Sequence, residues 1–215
     1  MPLSEQLSHI EYLQVTGSDP VEVFCGSDQE WFPTERQRLT GCGPSAAANI
    51  LFYLNRKNDP SCCGRDRADL LDFMEDAWQS VTPGANGIPS TALFLKKLGQ
   101  YAVQHGKHFR YSALNVPPQQ AERPSLLEVV TFIAHGLRED VPIAFLNLDH
   151  GAEKWLESWH WVTIAAVEYS EEAQTAQVSI CDEGITKKID LKLWLETTER
   201  GGGFVYFLPE STPSP

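Results

Sequence analysis

The sequence predicts an α+β domain in which a mainly helical half precedes an antiparallel-sheet half. Apolar residues recur at helical spacing in four segments between Pro44 and Arg138, whereas from Val141 onward short apolar runs of strand length alternate with polar turns. The chain has 215 residues, 42% hydrophobic and 21% charged, which suits one soluble globular domain with a substantial core.

Residues 1–24 read as a leading arm packed on the domain, with a short alternating strand at Val21–Phe24. Residues 25–209 form the domain proper. Gln29–Arg38 is a polar and aromatic loop that runs into Leu39–Leu51, where Cys42 stands between Gly41 and Gly43. Pro44 suits a first helical turn, and Ala46, Ala47, Ile50, Leu51 and Leu54 continue one face, so a helix over 44–54 is expected. Asn55–Pro60 supplies basic residues and then breakers. A second helix over 65–80 carries Leu70, Leu71, Met74, Ala77 and Trp78 on one face, and Ser90 reads as the N-cap of a third, running to Gly99. His105 and His108 lie in an extended segment and read as solvated. A helix over Ser125–Arg138 precedes strands at 141–148, 159–167, 176–181, 186–191 and 203–208. Residues 210–215 form a polar tail with little reason to order.

Charge and cysteine usage narrow the function classes. With 17 basic against 29 acidic residues, the net charge of −12 argues against nucleic acid or an anionic membrane as partner. Five cysteines at irregular spacing predict reduced thiols rather than a disulfide framework; with no basic, apolar leader at Met1–Gln6, the expected location is the cytoplasm. Cys62-Cys63 lacks the spacer of a zinc knuckle, and no second pair follows, so neither metal nor cofactor is expected.

Cys42 is the candidate nucleophile. At a helix N-terminus, free backbone N–H groups and the helix dipole favour the thiolate, and flanking glycines leave room for a substrate carbonyl. A base and an orienting group must come from elsewhere. The runs 159–167 and 176–182 read as a hairpin folded about residue 171, which sets His160 opposite Asp182 at one end of two neighbouring strands. The carboxylate would fix the imidazole tautomer, and the imidazole would take the thiol proton and pass it to the leaving amine. Trp31, Phe32, Trp159 and Trp161 are candidate cleft walls. The same residues would serve acyl transfer to an amine; a catalytically silent binding module and a Cys/His metal site are the further alternatives.

Gly41-Cys42-Gly43-Pro44, Val141-Pro142-Ile143, His160-Trp161-Val162 and Ile180-Cys181-Asp182-Glu183-Gly184 resemble the papain-like cysteine peptidases. They are most similar to a bacterial family like the bacteriocin-processing, double-glycine leader peptidases. The resemblance spans roughly residues 29–207 and implies a papain-like fold, a peptide or other amide substrate and a Cys42, His160, Asp182 triad. It also implies an upstream glutamine that donates to the oxyanion. Gln37, five residues before Cys42, has the short spacing of papain relatives; Gln29 matches the longer spacing of stand-alone members and is preferred. Glu183 stands where that family usually has proline, and no transporter segment accompanies the domain, so coupling to leader-peptide export is not implied. The oligomeric state is not indicated.

Overall fold

The computed structural model describes residues 2–17, 19, 21–62 and 64–210. The strands, in chain order, are β1 (Leu3–Gln6), β2 (Gln14–Thr16), β3 (Val23–Cys25), β4 (Phe109–Val116), β5 (Ile143–Asn147), β6 (His160–Ser170), β7 (Thr175–Asp182), β8 (Ile185–Asp190) and β9 (Gly202–Pro209). The helices are α1 (Glu35–Thr40), α2 (Cys42–Asn58), α3 (Arg67–Ser80), α4 (Thr91–Gln104), α5 (Leu126–Arg138) and α6 (Leu191–Thr197). Short 3-10 turns at Ile10–Tyr12, Gln29–Trp31 and Gln120–Glu122 join them.

Among the described residues, an antiparallel sheet runs in the order β4-β9-β5-β6-β7-β8, with β1 added to β6. β5 pairs with the first half of β6, from Asn147 against His160 to Ile143 against Ile164, and β1 pairs with its second half, Gln6 against Ala166 to Leu3 against Tyr169. The leading segment is therefore built into the sheet, and Leu7, Leu13 and Val15 are buried in the core. Arg56 of α2 holds this segment from beneath, donating through Nη1 to the carbonyls of Tyr12 and Gln14 at 3.1 and 3.3 Å. The strand expected over 21–24 begins two residues later, as β3 paired with β2.

α2 lies against β6 and α3 with Ala46, Ala47, Ala48, Ile50, Leu51, Phe52 and Tyr53 all buried. It is mostly apolar over 46–54, with the buried polar side chains of Asn49 and Arg56 hydrogen-bonded to neighbouring segments. Sequence capping signals are realised: Ser90 Oγ accepts from the Leu93 N–H at 3.2 Å, and Ser125 with Glu128 forms a capping box at the head of α5. α4 runs five residues past Gly99 to Gln104, because burial of Tyr101 and Ala102 outweighs the modest helix penalty of one glycine. The Trp194 segment is a helix, α6, started by the Asp190 cap. Glu210 apart, the tail lies outside the described residues.

The expectation of reduced thiols is overturned by a disulfide between Cys25 and Cys181, Cα atoms 5.3 Å apart and 156 residues apart in sequence. Nothing in the spacing pairs them; β3 and β7 are brought together by the fold, with the Cys25 N–H donating to Gly184 O at 2.7 Å. This bond weighs against a reducing compartment. Cys42 is a free thiol, Cys62 is exposed, and Cys63 lies outside the described residues. No described helix is long and apolar enough to cross a membrane, and among the described residues no three His, Cys, Asp or Glu side chains cluster to hold a metal.

Candidate active site

Cys42 is the first residue of α2, half-buried, with Gly41 as N-cap and Ser45 N–H closing the first turn on Gly41 O at 2.9 Å. α1 ends at Thr40, so the chain passes almost directly from one helix into the next. The flanking glycines have a reason other than substrate access. A Cβ on Gly41 would lie 2.4 Å from Gln37 O and 2.6 Å from the Phe32 ring, and one on Gly43 would lie 2.8 Å from Ile88 Cδ1. The protein itself fills the space beside the sulfur.

His160 opens β6, and Asp182 closes β7. The hairpin loop is Glu171–Gln174, so its centre lies beyond residue 171, and the register shifts again between Ile164 and Ala166. Thr163 stands opposite Cys181; one step on, Val162 rather than His160 faces Asp182. His160 is the diagonal neighbour on the same face, within reach of a long side chain. The imidazole Nε2 donates to Asp182 Oδ1 at 2.7 Å, with side chains 9% and 2% exposed, and Cys42 lines the same small cavity as His160. Burial opposes the imidazolium, yet its interactions with Asp182 and Cys42 outweigh it and raise its pKa to about 10. Asp182 is likewise opposed by burial, but His160 and Lys187 hold it below the ordinary carboxylate range.

Ile185 pairs with Asp182 across a two-residue turn in which Glu183 and Gly184 have φ of 51° and 73°. This is the backbone of a type I′ hairpin. Proline, fixed near −65°, cannot occupy position 183.

The two glutamines have different surroundings. Gln29, in the 3-10 turn capped by Asp28, lines a small cavity of about 20 Å³ with Cys42, Ser45, His160 and Asp182, and its Oε1 is buried without a hydrogen-bond partner. Gln37 serves α1 instead: its Oε1 accepts from the Thr34 N–H at 3.2 Å and hydroxyl at 2.7 Å in a capping box. One contributor was missed in the sequence. Asn49, on the same face of α2 as Cys42 two turns on, accepts from the Ser27 N–H at 2.8 Å and donates to Thr163 Oγ1 at 3.0 Å. It thereby fastens the Gln29 loop and the His160 strand to the nucleophile helix; a buried asparagine in an otherwise apolar stretch was the available signal.

On the other side of Cys42 lies a groove of about 230 Å³ lined by Leu39, Ile88, Pro89, Leu146, Leu148 and Trp159 among others. Trp159 is 51% exposed at φ 60°, a conformation a bulky side chain rarely adopts, and Arg200 lies over its ring at 5.3 Å. Trp161, almost wholly buried, also lines the groove, stacked on Phe94 and donating to Ile88 O at 2.8 Å. Trp31 and Phe32 are core residues instead, at 7% and 1% exposure, and do not line it. His105 is bound to Tyr101 O and Asp76, away from the site.

Among solved structures, the crystal structure of UfSP from C. elegans superposes with a TM-score of 0.51 at 12% identity, over 93% of this chain and 34% of that one. The two share an α+β fold of helices packed on an antiparallel sheet, consistent with a papain-like fold. This chain thus spans about a third of the UfSP chain's length. No family model and no curated protein matches the sequence, so the likeness to bacteriocin-processing peptidases rests on the quoted motifs alone.

Proposed function

We propose that the chain is a cysteine peptidase-like hydrolase that opens a peptide or related amide bond through a thioester. The observation that carries this is the 2.7 Å hydrogen bond between His160 and Asp182 in a cavity shared with Cys42 at the N-terminus of α2, a setting that raises the His160 pKa to about 10. The fold shared with the cysteine protease UfSP supports the same chemistry.

In this reading the Cys42 sulfur attacks the carbonyl carbon, and a C–S bond forms as the carbonyl electrons move to oxygen. The Gln29 side-chain amide and the Cys42 N–H receive that oxyanion. Collapse breaks the C–N bond, and imidazolium His160 gives its proton to the departing amine. The imidazole then takes a proton from water, whose oxygen releases the acid from Cys42. Asp182 holds the ring in the tautomer that presents its other nitrogen to the sulfur. The groove beside Trp159 receives the substrate chain.

Alkylation tests the pair without a known substrate. Iodoacetamide modification, followed at Cys42 and Cys62 by mass spectrometry across pH, is expected to be faster at Cys42 below neutrality, although Cys62 is the more exposed thiol. Equal rates, or unchanged Cys42 reactivity in His160→Ala, would overturn the assignment.

A further inference from the structure

Asp182 is gripped from two sides. Its Oδ1 accepts from His160 and its Oδ2 from Lys187 Nζ, both at 2.7 Å, and Lys187 also pairs with Glu183 at 2.9 Å. The I′ turn creates this arrangement: Ile185 opposes Asp182, and Lys187, two residues on along β8, points to the same face on the diagonal. The lysine side chain is 16% exposed, against 2% for Asp182, so the contact is largely shielded from solvent. Surface ion pairs contribute little; one enclosed like this acts at lower dielectric.

We infer that Lys187 is a positioning residue of the site, fixing the plane of the Asp182 carboxylate and offsetting part of its charge. This rests on the reading of Cys42, His160 and Asp182 as a catalytic unit. With both oxygens engaged the carboxylate cannot turn, and the imidazole it holds cannot turn either. The second effect concerns proton transfer. A buried aspartate facing only the imidazolium would hold that proton too tightly to surrender it to a leaving amine, and Lys187 moderates the pull. The ionisable groups around the carboxylate are His160 on β6, Lys187 on β8, Glu183 in the turn and, through His160, Cys42 at the head of α2; Cys181 beside it is tied in the disulfide. Removing a cation from this set raises the proton affinity of every remaining member, so the sign of the change is the same whichever group is followed.

The test uses Lys187→Met, Lys187→Gln and Lys187→Arg in the full chain, with folding checked by circular dichroism. Two readouts are taken: the NMR titration of the His160 ring, and the pH profile of Cys42 alkylation by iodoacetamide. Loss of the charge in Met and Gln is expected to move both midpoints upward by at least about half a pH unit, while Arg leaves them in place. Gln, which keeps a donor for Oδ2, retains most of the wild-type alkylation rate at its own optimum; Met loses about tenfold. A Gln variant that folds with unmoved midpoints overturns the inference, as does an Arg variant that shifts as far as Met. If wild-type Cys42 instead reacts no faster than Cys62, the proposed function itself has failed, and the His160 titration still decides whether Lys187 tunes the pair.

Discussion

Asn49 Nδ2 donates to Thr163 Oγ1 at 3.0 Å, tying the helix that starts at Cys42 to the strand that starts at His160. The segments that carry Cys42 and His160 are thus joined by one buried amide, which also holds the Ser27 N–H. Asn49→Leu would leave that N–H and the Thr163 hydroxyl without partners. The expected loss of stability is about 2–3 kcal/mol by urea unfolding, with kcat falling more than KM rises because the sulfur and imidazole lose alignment.

Cys42→Ala and His160→Ala are expected to abolish turnover of any peptide or amide substrate while leaving the far-UV circular dichroism unchanged. Asp182→Ala retains weak activity, down by about 10³–10⁴-fold in kcat, since nucleophile and base remain but the ring is no longer held. Full activity in Cys42→Ala would exclude the proposed mechanism.

Gln29 and Gln37 are separable by kinetics and stability. Gln29→Ala is expected to lower kcat by about 10²-fold with little change in melting temperature, the loss typical of one oxyanion donor. Gln37→Ala breaks a capping box and should destabilise by about 1 kcal/mol with kcat preserved.

The His160 shift sets the alkaline behaviour. A group whose pKa rises from 6.5 to about 10 on folding contributes stability that is full below 6.5 and is lost progressively as pH rises to about 10. Asp182 has the opposite sign: its contribution is present above the ordinary carboxylate value and disappears as pH falls through its lowered one. Unfolding followed by urea at several pH values should show both flanks, and Asp182→Asn should bring the alkaline decline to lower pH by removing the partner that holds the proton.

Trp159→Ala opens one wall of the groove beside Cys42. On a panel of peptides that differ in one apolar side chain, it is expected to raise KM several-fold and flatten the differences between them, while Cys42 alkylation keeps its rate. Unchanged discrimination would place the substrate elsewhere.

Helical spacing revealed α2 to α5 because their buried faces repeat regularly, and apolar runs revealed β5 to β9. That Cys42, His160 and Asp182 come together was legible because each sits at the end of an element the pattern marks. Pairing His160 with Asp182 came from counting along a hairpin, and the count missed the true register by two residues, since neither a four-residue loop nor the irregularity near Ala165 leaves a compositional trace. The same blindness hid the Cys25–Cys181 bond and the addition of β1 to β6, both of which depend on contacts between distant segments.

The Cys25–Cys181 link also bears on how the protein is made. On the ribosome, the helix that bears Cys42 emerges long before the strands that carry His160 and Asp182, and β1 waits for a partner that is still unsynthesised. Until β6 and β7 arrive, Cys42 and Cys25 lack their partners in the fold, and the cluster around Cys42 is completed only when the last third of the sequence closes onto the first.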